Sequence, residues 1–234
     1  MDSADGVLLS VSAEARQLTA PDRAVLDGLI ERTAGSKEEA VRSVSASLDR
    51  LTAELTALGA VPFGEDTGRR PLTWSAHSWA THEERYHDQA TGRAERSGQV
   101  VATVALRVTV RDFDLLDGLT GVLSADPSLN VHGVMWDVDW DNPAWKQVRA
   151  AAIAAAIGKA GDYAAALGAT VRDIEHVADA GLLSTGAAGH GRAARAFSSG
   201  GEQPGIPALT PVPQELTATI EARFRTTAVS LPGS

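Results

Sequence analysis

Residues 36–59, SKEEAVRSVSASLDRLTAELTALG, decide the fold class. Ser36 and Glu39 have the spacing of a capping box, in which each side chain satisfies a backbone donor of the first turn that has no helical partner. Val41, Val44, Leu48, Leu51, Leu55 and Leu58 then recur at alternating spacings of three and four, which is one apolar stripe on a helical period. Gly59 supplies a left-handed stop. The same spacing fits the a and d positions of a coiled coil but is too short for one. The helix is therefore expected to pack on its own sheet, with a subunit seam as the alternative.

Working outward, the neighbouring segments alternate with the period of two that marks half-buried strands. Upstream, Val7, Leu9, Val11, Ala13 and Ala15 alternate with Leu8, Ser10, Ser12, Glu14 and Arg16, and residues 23–33 follow the break at Pro21-Asp22 as a second strand. Downstream, residues 72–87 and 97–110 read as a long hairpin joined by the polar stretch Asp88 to Ser97. Asp112 is placed to cap a short helix carrying Leu115, Leu116, Leu119 and Val122. Val134, Trp136, Val138 and Trp140 line one face of a further strand, and Asn142-Pro143 opens an alanine-rich helix that stops at Gly168. A strand over 170–180 follows. Residues 181–213, dominated by Gly, Ala, Ser and Pro, read as a long flexible loop. Leu216, Ala218, Ile220, Ala222 and Phe224 mark the closing strand. The order β-β-α-β-β-α-β-α-β-β is that of an α+β fold, an antiparallel sheet with helices packed on it. Because the closing strand follows the long loop, residues 1–234 read as a single domain.

Composition narrows the function classes. The 234 residues are 44% hydrophobic and 22% charged, enough apolar material for a core, and carry a formal net charge of −9. A chain this acidic repels phosphate backbones, so nucleic acid is not an expected partner. It contains no cysteine, which excludes thiol catalysis and cysteine-ligated metal centres. The acidic start Met1-Asp2-Ser3-Ala4-Asp5 lacks the basic and apolar regions of a signal peptide, giving a cytoplasmic expectation. No apolar run approaches the ~20 residues that cross a bilayer, so no membrane span is expected.

The candidate chemistries are few. Asp137, Asp139 and Asp141 alternate like the start of a calcium loop, but Asn142 and Val148 stand where an EF-hand needs glycine and a bidentate glutamate. They read as carboxylates on the solvent face of a strand, with Asp141 or Asn142 capping the next helix. His77, His82 and His87 lie five apart on one strand, so neighbours point to opposite faces, and a shared metal would require a bulge. The run from Gly186 to Arg192 lacks the Gly-Lys-Ser/Thr of a phosphate loop, though Arg192 and Arg195 are placed to meet an anion or a partner. Five tryptophans make the strongest residue signal. Trp136 and Trp140 share a face with Val134 and Val138 and are expected in the core. Trp74 and Trp79 are expected on opposite faces, leaving at least one for a binding surface.

Several local signatures carry a family resemblance. They are Val11-Ser12-Ala13-Glu14-Ala15 followed by Pro21-Asp22-Arg23-Ala24, Leu55-Thr56-Ala57-Leu58-Gly59, Asn130-Val131-His132-Gly133-Val134, Ala164-Ala165-Ala166-Leu167-Gly168, and Thr210-Pro211-Val212-Pro213. In this order and spacing the chain resembles the SIMPL family from about Gly6 to Thr227. Members of that family include bacterial periplasmic immunogenic and oxidative-stress-associated proteins. The resemblance implies an α+β fold, no established enzymatic activity, no cofactor, a stress-related setting and self-assembly in some members. The expected function is thus non-enzymatic, through homo-oligomerisation and protein binding, with Trp74, Trp79, Arg192 and Arg195 as contact residues. The alternative is a metal-dependent hydrolase or small-ligand enzyme using His77, His82 and the stretch Asp137 to Asp141.

Overall fold

The first helix forms where its capping box places it. In a computed structural model, which describes residues 6–64, 69–88, 92–182 and 209–230, α1 spans Lys37–Ala57. Ser36 Oγ accepts the Glu39 N–H at 3.3 Å, and Gly59 closes the C-terminus at φ +87°. Before α1 come β1 (Leu8–Thr19) and β2 (Arg23–Ala34); after it come β3 (Val61–Pro62), β4 (Leu72–Asp88) and β5 (Arg93–Val110). A 3-10 turn over Phe113–Leu115, capped by Asp112, leads into α2 (Leu116–Ala125). The chain continues through β6 (Leu129–Asp137), α3 (Pro143–Ala166), β7 (Val171–Asp179) and β8 (Gln214–Thr226).

The α+β class and the element order agree with the sequence, with three differences. The two-residue β3, which pairs parallel to β4, is too short to leave a periodic signal. The hairpin strands continue through most of the polar stretch expected as their connection, since exposed strands need no apolar residues. The strands also form two sheets rather than one: β1-β8-β7, and β3-β4-β5-β2-β6. The elements group into two compact units accordingly, β1, α3, β7 and β8 in one, the rest in the other. The chain leaves the first unit after Ala20 and re-enters it at Asp139.

In the five-stranded unit the register explains the core. Ala24, Leu26 and Ile30 of β2 stand opposite Val110, Val108 and Val104 of β5, so one face of the sheet is continuously apolar. That face meets Ala40, Val44, Leu51 and Leu55 of α1 and Leu116, Leu119 and Leu123 of α2, all buried. β2 and β6 approach so closely that a Cβ on Gly28 would lie 2.8 Å from Leu129 Cδ1 and 3.3 Å from the Asn130 carbonyl. Asp126 ties the end of α2 to α1 and β2. Its carboxylate accepts from Ser128 Oγ (2.5 Å), the Ser128 N–H (2.9 Å) and Arg50 Nη2 (2.9 Å), and Arg32 lies at 3.6 Å. Burial pushes the Asp126 carboxyl up, but the Ser128 and Arg50 hydrogen bonds outweigh it and hold it below the usual range.

The three-stranded unit has a thinner core. Along α3, Ala144, Val148, Ala152, Ala156, Ala160 and Ala164 are buried at every fourth position. These small side chains seat the helix close to Val11, Ile220, Ala222 and Phe224 of β1 and β8. Little of α3 covers β7, and Ile174 and Val177 are exposed there.

Two outcomes follow. Ala156→Leu adds bulk where the helix has no room and should lower unfolding free energy by about 1–3 kcal/mol in urea denaturation. Asp126→Ala should cost about 1–3 kcal/mol at neutral pH, because the buried Ser128 N–H and hydroxyl lose their acceptor. A lowered folded-state pKa gives stability that is present above the unfolded value of ~3.9 and is lost as pH falls through the folded value. The difference between wild type and Asp126→Ala should therefore shrink below about pH 4, which denaturation at several pH values checks.

Candidate functional site

Strand β4 carries both the histidines and two of the tryptophans, and its pairing with β5 decides where they point. Trp74 stands opposite Val108 and Ala76 opposite Leu106. His77 is then an extra residue, and the register resumes with Ser78 opposite Ala105 and Trp79 opposite Val104. One inserted residue reverses the alternation of faces. Trp74 and Trp79, expected on opposite faces, therefore share the face of Val108 and Val104, which carries the core.

Their environments nevertheless differ. Trp74 is half-buried against the core, and its Nε1 is buried with no acceptor among the described residues. Trp79 lies outside that cluster with 69% of its surface exposed. Trp136 packs edge-to-face on Phe113 at 5.4 Å, as expected of a core residue. Trp140 does not: β6 ends at Asp137, before it, and its ring is 85% exposed. Trp145 lies under the Arg149 guanidinium at 5.7 Å, a cation–π distance, and donates through Nε1 to the Asp139 carbonyl.

The same bulge corrects the histidines. His82 stands opposite Val101, on the helix-free face of the sheet, and His77 lies near enough to Asp27 for its charge to act there. Asp27 and Arg107 form a two-pronged pair in the middle of that face, at 2.7 and 2.9 Å. The Arg107 hydrogen bond holds the Asp27 carboxyl below the usual range against partial desolvation, and the charges of Arg107, His77 and His132 act in the same direction. A carboxylate so held is a weak proton acceptor. Both members of the pair are half-exposed, so it contributes little to stability. Sequence reading missed this pair because its residues come from strands separated by 80 positions.

Within the five-stranded unit, Asp137 does not stand with His77 and His82. Asp137 ends β6, three strand spacings from β4 in the sheet, or about 14 Å. It is engaged by Arg23 and by the Val138 N–H. Asp139 and Asp141 belong to the other compact unit, at the entrance to α3 rather than on a strand face. Asn142 caps that helix, its Oδ1 accepting the Ala144 N–H at 2.8 Å. No group of three or more His, Asp or Glu among the described residues is arranged to hold a metal ion. Arg192, Arg195, the glycine-rich run from Gly186, the side chain of His87 and most of the 181–213 loop lie outside the described residues.

Two mixed α+β units carry exposed aromatic and aliphatic side chains on their strands. The chain belongs to the SIMPL family, whose model, described as a protein of unknown function (DUF541), matches residues 9–224, from β1 into β8. No curated protein matches it. Among the described residues no helix is long and apolar enough to cross a membrane.

The contrast between the two rings is measurable. Trp136→Ala should lower stability by about 3 kcal/mol, whereas Trp79→Ala should change it by less than about 0.5 kcal/mol. A loss above 1 kcal/mol for Trp79→Ala in urea denaturation would show that its ring is packed.

Proposed function

We propose that this protein acts through self-association and the binding of a protein partner rather than through catalysis. The observation that carries the reading is the exposure of large apolar side chains on strand surfaces. Trp79 is 69% exposed on β4, Leu18 is 68% exposed on β1, and Ile174 is 49% exposed on β7. An exposed tryptophan on a rigid strand brings a large contact area at low entropic cost, the character of an interface anchor. Trp79 is the partner-contact residue on this reading; half-buried Trp74 supports it from within the sheet.

Light scattering on a sizing column at two salt concentrations tests the self-association. An assembly well above the monomer mass of 24.4 kDa, unchanged by salt, is expected, because apolar and backbone contacts are not screened as surface ion pairs are. A monomer at every concentration and both salts would overturn it.

A further inference from the structure

Besides the two-residue β3, which covers only Thr73 and Trp74 of β4, four strands keep one side open among the described residues, and three of these are broken. β7 loses register with β8 at Arg172 and again at Glu175. β4 does so with β5 at His77 and around Glu84, and β6 with β2 at His132. At Arg172, Glu175, His77 and His132 the strand with the open side carries an additional, ionisable residue, whereas around Glu84 the surplus lies on β5. Bulges and charges of this kind disrupt the row of backbone groups that an unpaired strand would offer to another chain.

β1 is the exception. All 12 of its residues pair with β8 without a shift. The Thr226 N–H bonds to the Val7 carbonyl at 3.0 Å, so odd-numbered residues bond inward to β8. By the alternation of an antiparallel ladder, the N–H and C=O groups of Leu8, Ser10, Ser12, Glu14, Arg16 and Leu18 point outward. Among the described residues one of these groups is engaged: the Ser12 carbonyl accepts from Lys159 Nζ at 3.0 Å. Glu14 and Arg16 pair with each other at 2.6 Å, and the strand contains no proline.

We infer that the β1 edge is a subunit interface, where β1 of a second copy adds antiparallel about a two-fold axis at Ala13. This rests on the self-association proposed above and names its contact. The outward side-chain face of β1 is self-complementary in that register. Leu8 and Leu18, 45% and 68% exposed, are the large apolar residues of the face and lie five positions either side of Ala13. The two-fold therefore sets each against the other, Ser10 against Arg16, and Ser12 against Glu14. An axis at Glu14 would set that carboxylate against its own copy, and one at Ser12 would set Leu8 against Arg16. Lys159 holds the Ser12 carbonyl in the isolated chain and yields it to the Glu14 N–H of the second copy.

Two variants of the full chain test the interface. Ser12→Pro removes an outward donor and leaves the β1–β8 ladder intact; it should weaken assembly at least about 100-fold by sedimentation, with an unchanged circular dichroism spectrum. Leu8→Cys with Leu18→Cys, in a chain with no cysteine of its own, should give a covalent dimer on mild oxidation, since facing residues of a hydrogen-bonded pair lie about 5.5 Å apart at Cα. Leu8→Cys alone should not. Should Ser12→Pro fail to fold, the cysteine pair decides. A wild-type assembly that neither variant weakens or cross-links would overturn the β1 interface and leave self-association standing. A monomeric wild type would remove both.

Discussion

The pairing of the chain's first strand with its last is the constraint on which the structure depends. Leu8–Thr19 and Gln214–Thr226 run antiparallel in unbroken register, joining residues about two hundred positions apart. Closing so long a loop carries an entropic cost, and no single contact offsets it. The ladder, the apolar face it shares with α3 and the buried Phe224 do so together. The segment from Pro21 to Val138, inserted between Ala20 and Asp139, forms a unit with its own core.

The local part of this arrangement was legible in the sequence. The Ser36 cap, the stripe of α1 and its Gly59 stop are short-range signals, and each reports a hydrogen bond or a packed face within one element. The Asn142-Pro143 start of α3 is of the same kind. The division into two sheets was not legible, because periodicity says that a strand has a buried face but not which strands share it. Nothing in Val11 or Val25 marks one for α3 and the other for the opposite unit.

Side-chain direction failed for a more specific reason. A face assigned by counting is correct only while the strand has no insertion, and β4 has one at His77. The residues from Ser78 to Glu83 are inverted, so Trp79 joins the face of Trp74 and His82 takes the other. His77 occupies the bulge itself, a position that no propensity identifies in a single sequence. Trp140 failed through a boundary: the alternation of Val134, Trp136 and Val138 continues past the end of β6, and the last aromatic falls in the approach to α3. Leu8 and Leu18 stand among polar residues in the alternation of β1, a signal that was readable but is weak when taken one residue at a time.

The two units stabilise themselves by different means, and this bears on where a second chain is useful. The five-stranded unit buries leucine, isoleucine and valine from three strands and two helices. The buried cluster of the three-stranded unit is four alanines, Ala152, Ala156, Ala160 and Ala222, with Val11, Ile220 and Phe224. A buried alanine removes far less apolar area from water than a leucine, so the smaller unit gains less from burial for each residue it orders. Small sheets of few strands are marginal by themselves, and a further strand adds both ladder bonds and covered surface. The unit with most to gain from an added strand is thus the one whose outer strand, β1, keeps a continuous and unbulged edge. The open sides of β4 and β6 in the richer unit, like that of β7 in the smaller one, are interrupted by bulges. On the proposed association, the alanines that let α3 lie close to its sheet and the unbulged edge of β1 would serve one end: a thin core to which a second copy adds a strand.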